Sequence, residues 1–269
     1  MWTDDQRKRH DRRGGRYPSD LTDEEWTVLE PLLPTEGRPR DYDLREAANG
    51  VRYVLSYGVP WDATPKDLPP WWVLYAWFRA LAGSGGLPQT HHLLLVRARE
   101  GAGREATPSA AILDSRTVKC AAPAGARGYD GAKKMLGRKQ HIAIDTGGRL
   151  LDLIVTTADV QDQDAGLVLA ERVVRLCPWV ETFIVDGAYK ETFRRGVEEV
   201  LKRKVEVVKR PDAARRFIPL PKRWKVEQTF GVAAIRRRLR LDYESLFQCS
   251  AAMFMLASVF RLASTIACG

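Results

Sequence analysis

The chain is poor in the residues that build covalent or soft-metal frameworks. Its 269 residues include four cysteines and four histidines. Cys120, Cys177, Cys249 and Cys268 lie far apart with no C-x-x-C spacing, which excludes a disulfide scaffold or zinc finger and fits a reducing cytoplasm. The N-terminal MWTDDQRKRHDRRGGRYPSD lacks the apolar run of a secretory leader. The longest uncharged stretch, Ser245 to Phe260, is short of the ~20 residues that span a bilayer and is followed by Arg261. It predicts a buried helix and no membrane partner. Internal repeats and long low-complexity tracts are missing as well.

What is present is an ordinary globular composition, 45% hydrophobic and 29% charged, with one unusual number. Forty-three Lys and Arg against 34 Asp and Glu leave a net charge of +9 and a pI near 9.5. Such an excess points to a polyanionic partner, nucleic acid foremost. The length suits one large domain or two modest ones of about 150 residues.

The first half reads as helical. Residues 1–20 form a flexible basic arm by composition. LTDEEWTVLEPLL follows, with Thr22 and Glu25 in capping-box spacing. DLREAANGVRYVLSYG (43–58) has apolar positions Ala47, Val51, Val54 and Leu55 and a glycine stop. PPWWVLYAWFRALAG (69–83) makes a third helix, whose Trp71, Trp72, Tyr75 and Trp77 read as core residues. Three short helices behind a basic arm suggest a DNA-binding module over 21–99, and EGAGREATPS within 100–109 reads as a linker. From residue 110 the pattern changes to strand (110–119), hairpin (141–160), helix, strand ending at Asp186, helix, strand and helix. That order predicts an α/β domain with a mixed sheet and flanking helices over 110–269.

Two aspartates, Asp114 and Asp186, lie at or near the ends of apolar strands, where an α/β sheet presents ligands. Glu227 lies in a later helix rich in cations. Three carboxylates of this kind can hold two Mg²⁺ ions, with Mn²⁺ as a substitute, for phosphodiester chemistry, and such hard oxygen ligands need neither Cys nor His. Asp145, Asp152, Asp159, Asp162 and Asp164 compete by composition, Asp145 foremost because IAIDTGG also ends a strand. Residues 201–244 hold fourteen Lys and Arg against five acids, a surplus of nine that equals the excess of the whole chain. Within it Arg223, Lys225, Arg236, Arg237 and Arg238 surround Glu227, and a second cluster, Lys133, Lys134, Arg138, Lys139 and His141, precedes the hairpin. Both suit contact with DNA phosphates.

The strings LDSRTVK (113–119), RGYDGAKKMLGRKQHIAIDT (127–146), ADVQDQDAG (158–166), VDGAYK (185–190), VVKRPDAARRFIPLPKRWKVEQTF (207–230), RRL (237–239) and DYE (242–244) resemble DDE transposases of bacterial insertion sequences, of the insertion-sequence-five type. Residues 17–81 resemble the helical module that precedes the catalytic domain in that family. The resemblance implies a ribonuclease-H-like catalytic domain with Asp114, Asp186 and Glu227 as the metal-binding triad, and ranks Asp145 below them. It implies a bacterial, nucleoid-associated enzyme acting as a homodimer or higher oligomer on double-stranded DNA. Such an enzyme nicks the terminal inverted repeats and joins the freed 3′-hydroxyl to target DNA, with no covalent protein–DNA intermediate. Arg223, four residues before the glutamate, matches the family pattern and suits a phosphate. After Glu227 the chain departs from that pattern: Val232 stands for a tryptophan, and Ala234 and Ile235 for an amide and a basic residue. Two other readings keep part of this logic: a DNA-binding regulator without catalysis, and an RNA-cleaving ribonuclease-H-like enzyme, which leaves the helical module unexplained.

Overall fold

A computed structural model of the chain describes residues 15–33, 41–121, 125–189, 191–208 and 224–269. The N-terminal part holds α1 (Asp23–Leu29), α2 (Leu44–Tyr57), α3 (Trp71–Gly83) and α4 (Gly86–Glu100). Thr22 and Glu25 close the capping box expected at α1, and Asp43 caps α2. Ala47, Val51, Val54 and Leu55 are all buried. The structure adds a helix that the sequence pattern hides: α4 follows Gly85 and Gly86 and has Pro88 in its first turn, where proline is tolerated. It also corrects the aromatic face of α3. Trp77 is buried, but Trp71 and Trp72 are exposed at 41% and 59%, at the start of the helix and off its packed side.

The second part is a six-stranded mixed sheet of β1 (Ala110–Lys119), β2 (Gly128–Asp130), β3 (Met135–Asp145), β4 (Leu150–Thr157), β5 (Thr182–Val185) and β6 (Lys204–Val207). β3 pairs antiparallel with β1, β2 and β4, whereas β5 runs parallel to β1 and β6 parallel to β5. Parallel pairing needs crossovers. These are supplied by α5 (Asp162–Leu176) before β5 and by α6 (Glu191–Arg195), with a π turn at Gly196–Val200, before β6. Apart from the small β2, the antiparallel meander followed by two parallel strands is the ribonuclease-H-like arrangement.

α5 covers one face of the sheet. The other face carries α7 (Trp224–Ile235) and α8 (Phe247–Ala267). α8 is the stretch read above as a buried helix; it is long and apolar enough to cross a membrane by length and composition, but it packs between β4 on one side and α1, α3 and α4 on the other. One hydrophobic core therefore runs through both parts of the chain. Within it, Arg52 of α2 pairs with Glu25 of α1 at 2.6 Å, both buried, and Ser264 of α8 donates to the same carboxylate.

Gly58 ends α2 with φ +70°, and a Cβ there would lie 3.0 Å from Arg237 Cβ and 3.1 Å from Arg238 N. Both the left-handed backbone and the close approach demand glycine. Gly58→Ala should therefore destabilise the fold by more than ~1 kcal/mol, read as a lowered Tm.

His91 and His141 are buried, and desolvation lowers both to about 4. Each would titrate near ~6.5 in the unfolded chain, which thus binds more protons between these two values. Their contribution is intact above about pH 6.5 and is lost as pH falls towards 4. Tm should drop between about pH 7 and about pH 5; a flat profile there would show that these imidazoles are not held neutral.

Candidate active site and nucleic-acid interface

The strand register brings Asp114 and Asp186 together. β1 and β5 pair in parallel with Ile112 opposite Ile184, so two further residues along each strand place position 114 opposite position 186. Asp186 is the first residue past β5, but Asp114 stands in the middle of β1 and not at its end, because the strand runs on through residues 115–119. Backbone amides fix both carboxylates: Ser115 N donates to Asp114 Oδ1 at 2.7 Å and Ala188 N to Asp186 Oδ1 at 2.9 Å.

Alternation along β1 decides which face the pair shares with Glu227. Ser115 Oγ donates to Asp162, at the start of α5 on one face of the sheet. Arg116 turns to the other face, where its guanidinium donates to the carbonyls of Phe230 in α7 and Leu239 beyond it, both at 3.2 Å. Asp114, two residues from Arg116, shares that face. α7 runs back along β1: Thr229 Oγ1 donates to the Gly148 carbonyl in the β3–β4 turn, while Ala234 lines a groove beside Thr117 and Lys119. Glu227, on the first turn of α7 and exposed, lies on the opposite side of the helix from Thr229.

The donor set is the hard-oxygen type that suits Mg²⁺ or Mn²⁺. The structure brings two of the three carboxylates into one register, and the third is exposed on the first turn of α7. Among the described residues, however, no three His, Cys, Asp or Glu side chains close to metal-holding distance.

Arg116 is the residue that sequence reasoning missed here. It is half-buried with its guanidinium over the Phe230 ring at 4.9 Å, and desolvation lowers its pKa to about 10. Its carbonyl partners make it a strut between the strand of Asp114 and the helix of Glu227. Its place inside LDSRTVK was the available signal.

Asp145 has a different occupation. It is fully buried, pairs with Arg99, and accepts from the Gly147 and Arg149 amides at 2.8 Å, so it organises the hairpin turn. Asp152 is buried against Arg172 at 2.7 Å, and Asp162 receives Lys139 at 3.1 Å.

The expected DNA contacts divide sharply. Lys133 and Lys134 are exposed in the β2–β3 turn, Arg237 is exposed, and Lys225 is half-buried with its ammonium over Trp224 at 4.0 Å. Arg236 is half-buried and donates to Ser56. Three others are corrected by the structure. Arg138 is fully buried, pairs with Asp242 at 3.2 Å, and donates to the carbonyls of Ala126, Glu244 and Ser245. Lys139 is buried, donating to the Val160 carbonyl at 2.7 Å. Arg238 is buried on Glu244 at 2.8 Å and donates to the Val59 carbonyl. Their charges are spent inside the protein: the DYE string supplies the acids for Arg138 and Arg238, and Asp162 the one for Lys139. Arg223 lies outside the described residues, as do all the other basic residues between β6 and α7.

Comparison with known proteins agrees with this architecture. Residues 21–91 match the family "Putative transposase of IS4/5 family", and residues 105–261 match the "Transposase DDE domain" family. Over 134 residues the chain is 28% identical to the "Insertion element IS402 uncharacterized 16.2 kDa protein" of Burkholderia cepacia, covering 46% of this chain and 84% of that protein. With the sheet topology, the neighbouring positions of Asp114 and Asp186 and a domain match over more than half its length, the chain belongs to the DDE transposase family.

Proposed function

We propose that the protein moves an insertion sequence by cleaving the strands at its terminal inverted repeats and joining the freed 3′-hydroxyls to target DNA. Asp114, Asp186 and Glu227 are the residues that would hold the divalent ions. The observation that carries this reading is the β1–β5 register, whose continuation two residues past the Ile112–Ile184 pair sets Asp114, within β1, opposite Asp186, just past β5. Two bound Mg²⁺ ions would supply activation of the attacking water or 3′-hydroxyl and stabilisation of the leaving oxygen. The chain's own contribution is positioning. The Ser115 and Ala188 amides orient the two aspartates, Arg116 anchors α7 over β1, and Glu227 on the first turn of α7 would supply the third carboxylate. The protein acts on duplex DNA in the bacterial cytoplasm as a dimer or larger assembly.

Lys133, Lys134 and Arg237 are the exposed cations that would meet phosphates. Each neutralised phosphate adds about −0.9 to the log–log dependence of affinity on salt. Replacing these three by glutamine should therefore make the slope shallower by between two and three, as measured by duplex binding from about 50 to about 200 mM salt. An unchanged slope would assign them to the solvated surface.

A DNA-binding regulator without catalysis is the second reading. Its supporting observation is the altered stretch after Glu227, where Val232, Ala234 and Ile235 depart from the family pattern. Mg²⁺-dependent nicking of a supercoiled plasmid carrying the element's own ends decides between them: nicking supports the transposase, and tight end binding without nicking supports the regulator.

A further inference from the structure

β5 leaves β1 at the Ile112–Ile184 pair, and among the described residues β1 then continues to Lys119 with a strand partner on one side only, β3. Asp114 lies in this singly paired half, where the ladder alone leaves the strand free to shift on the side that faces Asp186. The peptide between residues 114 and 115 matters most, because its amide is the donor that orients the Asp114 carboxylate.

That peptide is held from the far face of the sheet. Ser115 Oγ donates to Asp162 Oδ1 at 2.8 Å, and Lys139 Nζ of β3 lies 3.1 Å from the same oxygen while donating to the Val160 carbonyl at 2.7 Å. Asp162 opens α5, where an acid ordinarily serves the helix N-terminus. Here the N-cap is Gln161, no side chain caps the helix, and the Asp162 carboxylate is given to the sheet instead. His141 lies 4.0 Å from the same oxygen and is kept neutral by burial, so the ion pair is with Lys139. The resulting clamp ties β1, β3 and the start of α5 together directly behind Asp114.

We propose that Asp162 is a positioning residue for the metal site: through the Ser115 hydroxyl it fixes the 114–115 peptide, and with it the direction in which Asp114 offers its carboxylate to a divalent ion. Lys139 holds Asp162 in place for this task. The inference rests on the proposed triad and adds to it a support on the opposite face of the sheet. Groups that orient a metal ligand without touching the ion typically change its affinity by ten- to a hundredfold when removed.

Titration of the full chain with Mn²⁺, following the free ion by electron paramagnetic resonance, tests this without cleavage. The binding lost in Asp186→Asn defines the site. Ser115→Ala should raise its Kd about tenfold or more, with a Tm lowered by no more than about 4 °C. Ser115→Thr, which keeps the hydroxyl, should stay within about twofold of wild type. Asp162→Ala should weaken Mn²⁺ by a similar factor, and the double variant with Ser115→Ala should be no weaker than about twofold below the weaker single variant, because the two residues act in series. A wild-type Kd in Ser115→Ala, a threonine variant as weak as the alanine, or losses that multiply in the double variant would overturn the positioning role and leave the clamp a structural bond. Equal Mn²⁺ binding by wild type and Asp186→Asn is a different failure: it removes the triad itself, and the positioning role with it.

Discussion

Replacing Asp114 or Asp186 with asparagine should reduce strand cleavage at the element's ends by roughly a thousandfold or more, a barrier increase of about 4 kcal/mol. The substitution keeps the shape of the side chain and its ability to accept from the Ser115 or Ala188 amide, so the fold should survive. It removes the negative charge that a hard divalent ion requires. The measurement is single-turnover nicking of a supercoiled plasmid with Mg²⁺. End binding, read in the same samples by mobility shift, should stay within a few-fold of wild type. Asp145→Asn should behave in the opposite way. That side chain is buried among the Arg99 guanidinium and two turn amides, so its loss should lower stability and leave the chemistry of correctly folded molecules intact.

The second large effect concerns a residue that the charge pattern alone assigns to DNA. Arg138→Met should destabilise the protein by about 3–5 kcal/mol, because it leaves Asp242 buried without its countercharge and strips the donor from three backbone carbonyls. For a chain of this size that is a fall in Tm of about 10 °C. Removing an exposed cation such as Lys134 should change Tm by less than about 1 °C. If Arg138→Met melted like wild type but lost DNA affinity, the DNA-contact reading of this residue would be restored. Asp242 also accepts from Ser250 of α8 and bridges to Cys120 beyond β1. Arg138 thus locks the link between α7 and α8 to the sheet.

These two results separate what a one-dimensional reading can see from what it cannot. Periodicity and capping are local, so the Thr22–Glu25 box, the glycine stop of α2 and the alternation of strands and helices after residue 110 were all legible. The strand-end position of Asp186 was legible for the same reason, whereas Asp114 was misplaced, because β1 continues past it through residues 115–119. Partnership across distance was not. A surplus of cations in 201–244 is real, but Asp242 and Glu244 consume Arg138 and Arg238, and only the fold shows that 104 residues of separation close to 3.2 Å. Helix α4 escaped because its glycines and proline sit at its first turn, where they resemble a loop. Trp71 and Trp72 were misread because hydrophobicity says nothing about which end of an aromatic helix meets solvent. Val232 was legible as a departure from the family pattern, but the opening it lines is visible only once α7, α8 and the hairpin turn are placed together.

The central claim is that one metal site draws its carboxylates from β1, the end of β5 and the first turn of α7. Iron(II) substituted for magnesium on the DNA-bound protein, followed by ascorbate and peroxide, cuts the backbone next to the ion it replaces. The account predicts cuts clustered at three separate places, near residues 114, 186 and 227, all suppressed by excess Mg²⁺ and lost together in Asp186→Asn. Cuts near 114 and 186 with none between 224 and 230, or a pattern unaffected by Mg²⁺, would contradict it.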